Sequence, residues 1–208
     1  MLKHLVPAGR ATLFLALLIG IVFPFAVTFL SQLIFPEQAN GSLIRNSAGQ
    51  VIGSRLIGQN FTRSEYFHPR PSAAGAGYAG EASGGTNLGP TSAKLFLGQA
   101  DDPATKDVDE SFAGVKQLAK KYREENLLNQ DEKVPVDAVT RSGSGLDPHI
   151  SEANALFQAR RIAKVRSIDL TAVKELIEKQ VESRDLGMLG EPRINVLLTN
   201  LALDRLKR

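Results

Sequence analysis

The sequence predicts a single amino-terminal transmembrane helix followed by one α+β domain, with a small β-sheet and a helical carboxy-terminal half. Three observations carry that reading. No charged residue occurs from Ala11 to Phe35. The remainder, roughly 170 residues, is long enough to bury its own core. Beyond the span, strand-like runs give way to a succession of helical repeats toward the carboxy end.

The apolar segment comes first. At about 1.5 Å of rise per residue, about 25 residues make a helix of about 37 Å, enough to cross a hydrocarbon core of about 30 Å with some tilt. A secretory signal would have a shorter apolar core, about 7 to 15 residues, and Glu37-Gln38-Ala39-Asn40 lacks a small residue at the −3 position of a cleavage site. The segment is therefore expected to persist as an anchor. Lys3 and Arg10 precede it and Glu37 follows, so the positive-inside bias puts residues 1–10 in the cytoplasm, 11–35 in the membrane and 36–208 outside.

Within the span, Thr12, Ala16, Gly20, Pro24, Thr28 and Gln32 recur every fourth residue. In lipid, helices associate by close packing at small residues, which makes Ala16, Gly20, Pro24 and Thr28 a candidate contact with a partner helix. Simple anchoring is the alternative. Pro24 also removes the backbone bond to the Gly20 carbonyl, which then needs local distortion or a neighbour.

Composition narrows the function classes. The 25 basic side chains, less Lys3 and Arg10, leave 23 against 22 acidic ones, a balance of +1 beyond the amino terminus. Neither nucleic acid nor an anionic membrane surface is called for. The chain has no cysteine, which removes disulfides, thiolate metal sites and lipidated cysteine from consideration.

The soluble elements follow in order. Residues 41–45 and 51–58 flank the turn-rich Asn46-Ser47-Ala48-Gly49 and predict a β-hairpin. From Phe67 to Pro90 the chain is dense in Pro, Gly, Ala, Ser and Asn, which predicts a long irregular loop; Tyr66, Phe67, Tyr78 and Leu88 predict that it is packed. From Val108 to Leu127, Phe112, Val115, Leu118, Ala119 and Tyr122 share one face of an amphipathic helix. Val134 to Thr140 alternates as a strand, and a Gly/Ser turn leads to Ser151, an N-cap for a helix from Glu152 to about Arg166. Asp169 caps the next helix, with Val173, Leu176, Ile177 and Val181 inward and Gly187 and Gly190 closing it. Pro192 then opens a last helix with Ile194, Leu197, Leu198 and Leu201 buried.

No catalytic constellation is complete. Arg141-Ser142-Gly143-Ser144-Gly145 lacks the leading glycine of a nucleophile elbow, and Thr91-Ser92-Ala93-Lys94 is not a Ser-x-x-Lys motif. His68 and His149 stand apart beside proline turns, and Asp147 with His149 lacks a third metal ligand, so no metal site is expected. The Ser142–Gly145 turn offers amides to a phosphate but has no Walker lysine; a tight connection with Asp147 and Ser151 bonding local amides is the favoured reading. Gln158, Arg160, Arg161, Lys164 and Arg166 share one helix with a single acid, Glu152, which makes it locally positive.

Four separated motifs carry a resemblance: Phe67-His68-Pro69-Arg70-Pro71-Ser72, Ala82 to Pro90, Val134 to Thr140, and Ser142 to Ser151, with Gly53 to Gln59 in accord. Together they resemble the C subunit of the Kdp potassium-transporting ATPase. Arg141 departs from the small residue expected before Ser142. The resemblance implies a non-catalytic, single-pass subunit of the inner membrane. Its partners would be a channel-like A subunit carrying potassium, an ATP-hydrolysing P-type B subunit and a small F subunit, within membrane lipid. It also implies a catalytic chaperone that raises the ATP affinity of the B subunit, with a Gln-x-x-Arg pair proposed to touch nucleotide; Gln158 and Arg161 match that spacing. Outward placement of the domain conflicts with direct contact to cytoplasmic ATP, so the expected route is indirect, through docking on the A subunit. A free-standing anchored binding module and an anchored hydrolase are the competing readings.

Overall fold

The computed structural model describes residues 2–98 and 112–206. The chain forms two compact units, Met1–Ser54 and Arg55–Arg208.

In the first unit, α1 (Leu5–Leu17) and α2 (Phe23–Ile34) are joined by a π-helical turn, Leu18–Val22. The result is one 30-residue helix, Leu5–Ile34, apolar and long enough to cross a membrane, whose most apolar 18-residue stretch has mean hydropathy 2.7. It starts before the expected boundary, taking in Arg10, and ends at Ile34, where Phe35 leaves helical geometry at φ −133°. The π turn ends at Val22, two residues before Pro24, and Phe23 N–H donates to Leu18 O, five residues back. A proline ring crowds the carbonyl four residues before it and offers no donor; a wider turn accommodates both. Ala16, Gly20, Pro24 and Thr28 are all exposed along this helix.

A single turn, α3 (Pro36–Ala39), leads to a hairpin of β1 (Leu43–Arg45) and β2 (Val51–Ser54), pairing Leu43 with Ser54 and Ile44 with Gly53. Asn46 closes its turn by accepting from Ala48 N at 3.0 Å and Gln50 N at 2.9 Å. The second strand stops at Ser54 rather than running to Gly58. Beyond it, backbone groups bond elsewhere: Arg55 O accepts from Asn195 Nδ2 at 2.9 Å, and Gly58 N donates to Leu146 O at 2.8 Å.

The second unit is helical around a short sheet. Its helices are α4 (Ala93–Leu97), α5 (Val115–Glu125), α6 (Glu152–Arg166), α7 (Leu170–Gln180) and α8 (Val196–Arg205). The antiparallel strands β3 (His149–Ile150), β4 (Val181–Glu182) and β5 (Arg193–Asn195) run in the order β3-β5-β4, with Ile194 opposite both Ile150 and Val181. Each cap expected for α6 and α7 is made: Asn154 N donates to Ser151 Oγ at 3.1 Å and Thr171 N to Asp169 Oδ1 at 2.8 Å. The main core joins Phe67, Ile162, Val173, Ile177, Ile194 and Leu203, while Tyr122, Ala138 and Val139 centre a second cluster under α5.

Four further expectations need correction. Val134–Thr140 is not a strand; Pro135 lacks a ladder donor, and Val136–Ala138 closes a 3₁₀ turn in which Val139 N and Thr140 Oγ1 both donate to Val136 O. The helix expected from Val108 begins at Val115, residues 108–111 lying outside the described residues. The last helix begins at Val196 with Asn195 as its cap, not at Pro192; Ile194 is buried from a strand, and Leu203 takes the buried place expected of Leu201. Gly187 and Gly190 do not end α7 but shape the tip between β4 and β5, and Val181 packs on the core from β4.

Ile177 touches the main core and is fully buried. Ile177→Ala should lower the unfolding free energy of the detergent-solubilised chain by about 2–5 kcal/mol, read by denaturant titration.

Candidate functional site

The resemblance-bearing loop, 67–90, starts in the interior at Phe67 and is buried again at Ala74, and buried irregular backbone must find partners. Side-chain amides supply them. Gln158, on α6, accepts from His68 N at 2.7 Å through Oε1 and donates to His68 O at 3.0 Å through Nε2. Asn200, on α8, treats the preceding residue identically, accepting from Phe67 N at 2.8 Å and donating to Phe67 O at 3.0 Å. Two amides on two helices thus act as neighbouring strands for one dipeptide.

Arg161 completes the clamp. Its Nε donates to Asn126 Oδ1 at 3.0 Å, Nη2 to Gln158 Oε1 at 3.0 Å, and Nη1 to Tyr66 O at 3.0 Å and to Ser64 O. Gln158 is 1% exposed and Arg161 4%. Every acceptor is neutral, and burial pushes the guanidinium below its ordinary value, against the pull of Glu125, Tyr122 and Glu65. Arginine still keeps its proton there.

The network continues to the start of α6. Gln158 Nε2 also donates to Asn154 Oδ1 at 2.9 Å, which accepts from Tyr122 Oη at 2.8 Å. Asp137 takes three donors, Ser151 N and Oγ at 2.8 Å each and Asn154 Nδ2 at 2.9 Å. A carboxylate at a helix amino end suits the helix dipole. Asn154, Gln158 and Arg161 are spaced four and three apart, one face of one helix.

An open cleft of about 240 Å³ lies over this network, with His68, Arg70, Tyr78, Lys121 and Glu125 around it and Gln158 at its floor. His68 Nδ1 stands 3.8 Å from Glu125, whose pKa is lowered mainly by that contact. Arg70 pairs with Asp147 at 2.8 Å. Burial raises the Asp147 pKa, but hydrogen bonds from His149 and Arg70 outweigh it, and the net shift is downward.

The two glycine-rich motifs meet. Ser72 Oγ donates to Gly145 O at 2.6 Å, and Gly84 N and Ser83 Oγ donate to Ser144 O at 2.8 and 3.0 Å. Gly145 sits at φ 67°, where an added Cβ would lie 2.7 Å from Ala74 N and 2.8 Å from Gly84 O. The turn is packed from within, as the structural reading of it expects: Gly145 N donates to Ser142 Oγ and His149 N to Asp147 Oδ1. Arg141 lies over the Phe112 ring, 4.1 Å from its centre, and donates to Ala113 O.

The expected positive face of α6 is not one face. Arg161 and Gln158 point inward, Arg160 pairs outward with Glu132 at 3.4 Å, and Arg166 pairs with Asp204 at 2.7 Å. Asp147 and His149 do approach, at 3.5 Å, but among the described residues no group of three or more His, Cys, Asp or Glu could hold a metal ion. Asn126, Asn154 and Asn200 were not among the expected site residues. For Asn200 the signal is an amide on a helical stripe with Val196, Leu197 and Leu203.

A helix long and apolar enough to cross a membrane thus precedes a domain in which Gln158, Arg161 and Asn200 serve the chain's own loop. Against known families the match is specific. The family model for KdpC, described as K+-transporting ATPase, c chain, matches residues 5–205, and the chain belongs to that family. Similar proteins include the potassium-transporting ATPase KdpC subunits of Mycobacterium tuberculosis H37Rv, 50% identical over 99% of this chain and all of that protein, and of Myxococcus xanthus, 48% identical over 99% of this chain and 89% of that protein. That of Caulobacter vibrioides is 48% identical over 98% and 94%.

Two outcomes test the site. Arg161→Met leaves the Ser64 and Tyr66 carbonyls without their buried donor and should cost about 3 kcal/mol or more, with faster amide exchange across residues 64–68. Arg70→Met should cost about 1–2 kcal/mol at neutral pH. A depressed carboxylate stabilises the fold above its unfolded value and loses that contribution as pH falls through its folded one. The difference between Arg70→Met and the unsubstituted chain should therefore narrow below about pH 4 in pH-resolved unfolding.

Proposed function

We propose that this chain is the non-catalytic C subunit of a Kdp-type potassium pump, holding its soluble domain outside the membrane against the channel-like A subunit. The supporting observation is that the family match covers the apolar helix and the domain together, residues 5–205. Relatives of nearly equal length are named as subunits of a potassium-transporting ATPase. In this reading potassium is the cargo of the complex, ATP is hydrolysed by the B subunit, and a small F subunit completes the assembly.

The exposed small-residue seam of Ala16, Gly20, Pro24 and Thr28 would meet a helix of the complex. The chaperone effect on ATP affinity would be indirect. Gln158 and Arg161 spend their hydrogen bonds on Ser64, Tyr66, His68, Asn126 and Asn154, so their contribution is to hold the 64–68 segment. A subunit that binds one state of the pump more tightly shifts nucleotide affinity by linkage, without touching nucleotide.

The chain has no cysteine, so one introduced at exposed Lys174 reports placement alone. An impermeant maleimide should label Lys174→Cys in intact cells while the chain co-purifies with ATPase subunits. Labelling only after lysis would overturn the outward placement, and purification of the chain without ATPase subunits would favour the free-standing module.

A further inference from the structure

The hairpin tip between β4 and β5 is built against local preference. Leu186 and Gly187 both take left-handed backbone, at φ 54° and 76°. Glycine suits that region; a leucine Cβ crowds the following carbonyl there. Leu186 is also 86% exposed, Met188 73% and Leu189 56%. Strain and exposed apolar surface at one turn point to a contact rather than to folding.

The tip is preformed. Asp185 N donates to Leu189 O and Leu189 N to Asp185 O, each at 2.9 Å, and Gly187 N donates to Arg184 O at 3.0 Å. A turn already ordered loses little freedom on binding. The surrounding charges pair among themselves: Arg184 with Glu191 at 2.6 Å, and Arg193 with Asp185 at 3.2 Å and Glu182 at 3.4 Å. Lipid-surface elements carry surplus Lys or Arg and aromatic anchors; residues 181–195 contain no lysine and no aromatic residue. The chemistry fits an apolar, uncharged protein pocket, and membership among the c chains of a K+-transporting ATPase supplies the source of one.

We propose that Leu186, Met188 and Leu189 form a plug that seats in an apolar pocket on another subunit of the same potassium-transporting ATPase. The inference rests on the accessory-subunit reading above. Methionine, unbranched and polarisable, fits such a pocket without exact shape matching.

The test uses the full chain co-expressed with the other ATPase subunits. A benzophenone amino acid at Leu186 or Met188 should give, on irradiation, a covalent adduct with a partner subunit, and the same probe at exposed Lys174 should give none. The double substitution Leu186→Ser with Met188→Ser should reduce co-purified partner at least tenfold while leaving the unfolding midpoint of the chain unchanged. Adducts with lipid alone, or no adduct and undiminished co-purification, would overturn the plug and leave the accessory reading standing. If the unsubstituted chain fails to co-purify, both are overturned.

Discussion

The constraint on which the second unit depends is the need to satisfy the backbone of an irregular segment that enters its core at Phe67. Phe67 is fully buried, and its neighbours in the chain belong to no strand. Unpaired amides there would cost about 1–3 kcal/mol each. Gln158 and Asn200 remove that cost with paired donor and acceptor geometry, and Arg161 with donors alone. The dipeptide Phe67-His68 thus bridges α6 and α8.

That arrangement explains the small sheet. Strands of two or three residues suffice at β3, β4 and β5 because ordering of the long loop is delegated to side chains. It also accounts for the polar groups of the interior. Asn126, Asn154, Gln158 and Arg161 are buried, yet each hydrogen-bonds to protein groups. A buried charge surrounded by neutral acceptors is costly to disturb, so the segment 64–68 should behave as a rigid part of the domain.

Helix positions were legible in the sequence wherever a cap and a helical repeat agreed. Ser151 and Asp169 mark the starts of α6 and α7, and the Val173, Leu176, Ile177 stripe is buried as spaced. Val134–Thr140 misled because alternation describes strand and 3₁₀ turn alike over so few residues, and Asp137 was committed to Ser151 and Asn154 far along the chain. Pro192 misled because a proline suits the first residue before a strand as well as the first turn of a helix. The Gln-x-x-Arg spacing was visible; its inward direction was not, because Arg and Gln are ordinarily surface residues and only their partners at 64–68 reveal the burial.

The inward direction bears on how a domain of this kind could influence nucleotide affinity. Linkage requires only that the domain bind two states of a pump unequally, and a tenfold change in affinity corresponds to about 1.4 kcal/mol of that difference. A clamp that fixes one loop shape can supply such discrimination, because a rigid surface fits one state and strains against another. A flexible surface would adapt to both and shift nothing. On the proposed placement, Gln158 and Arg161 would therefore matter to ATP for the same reason that they matter to the fold: they keep the loop from accommodating the wrong partner geometry.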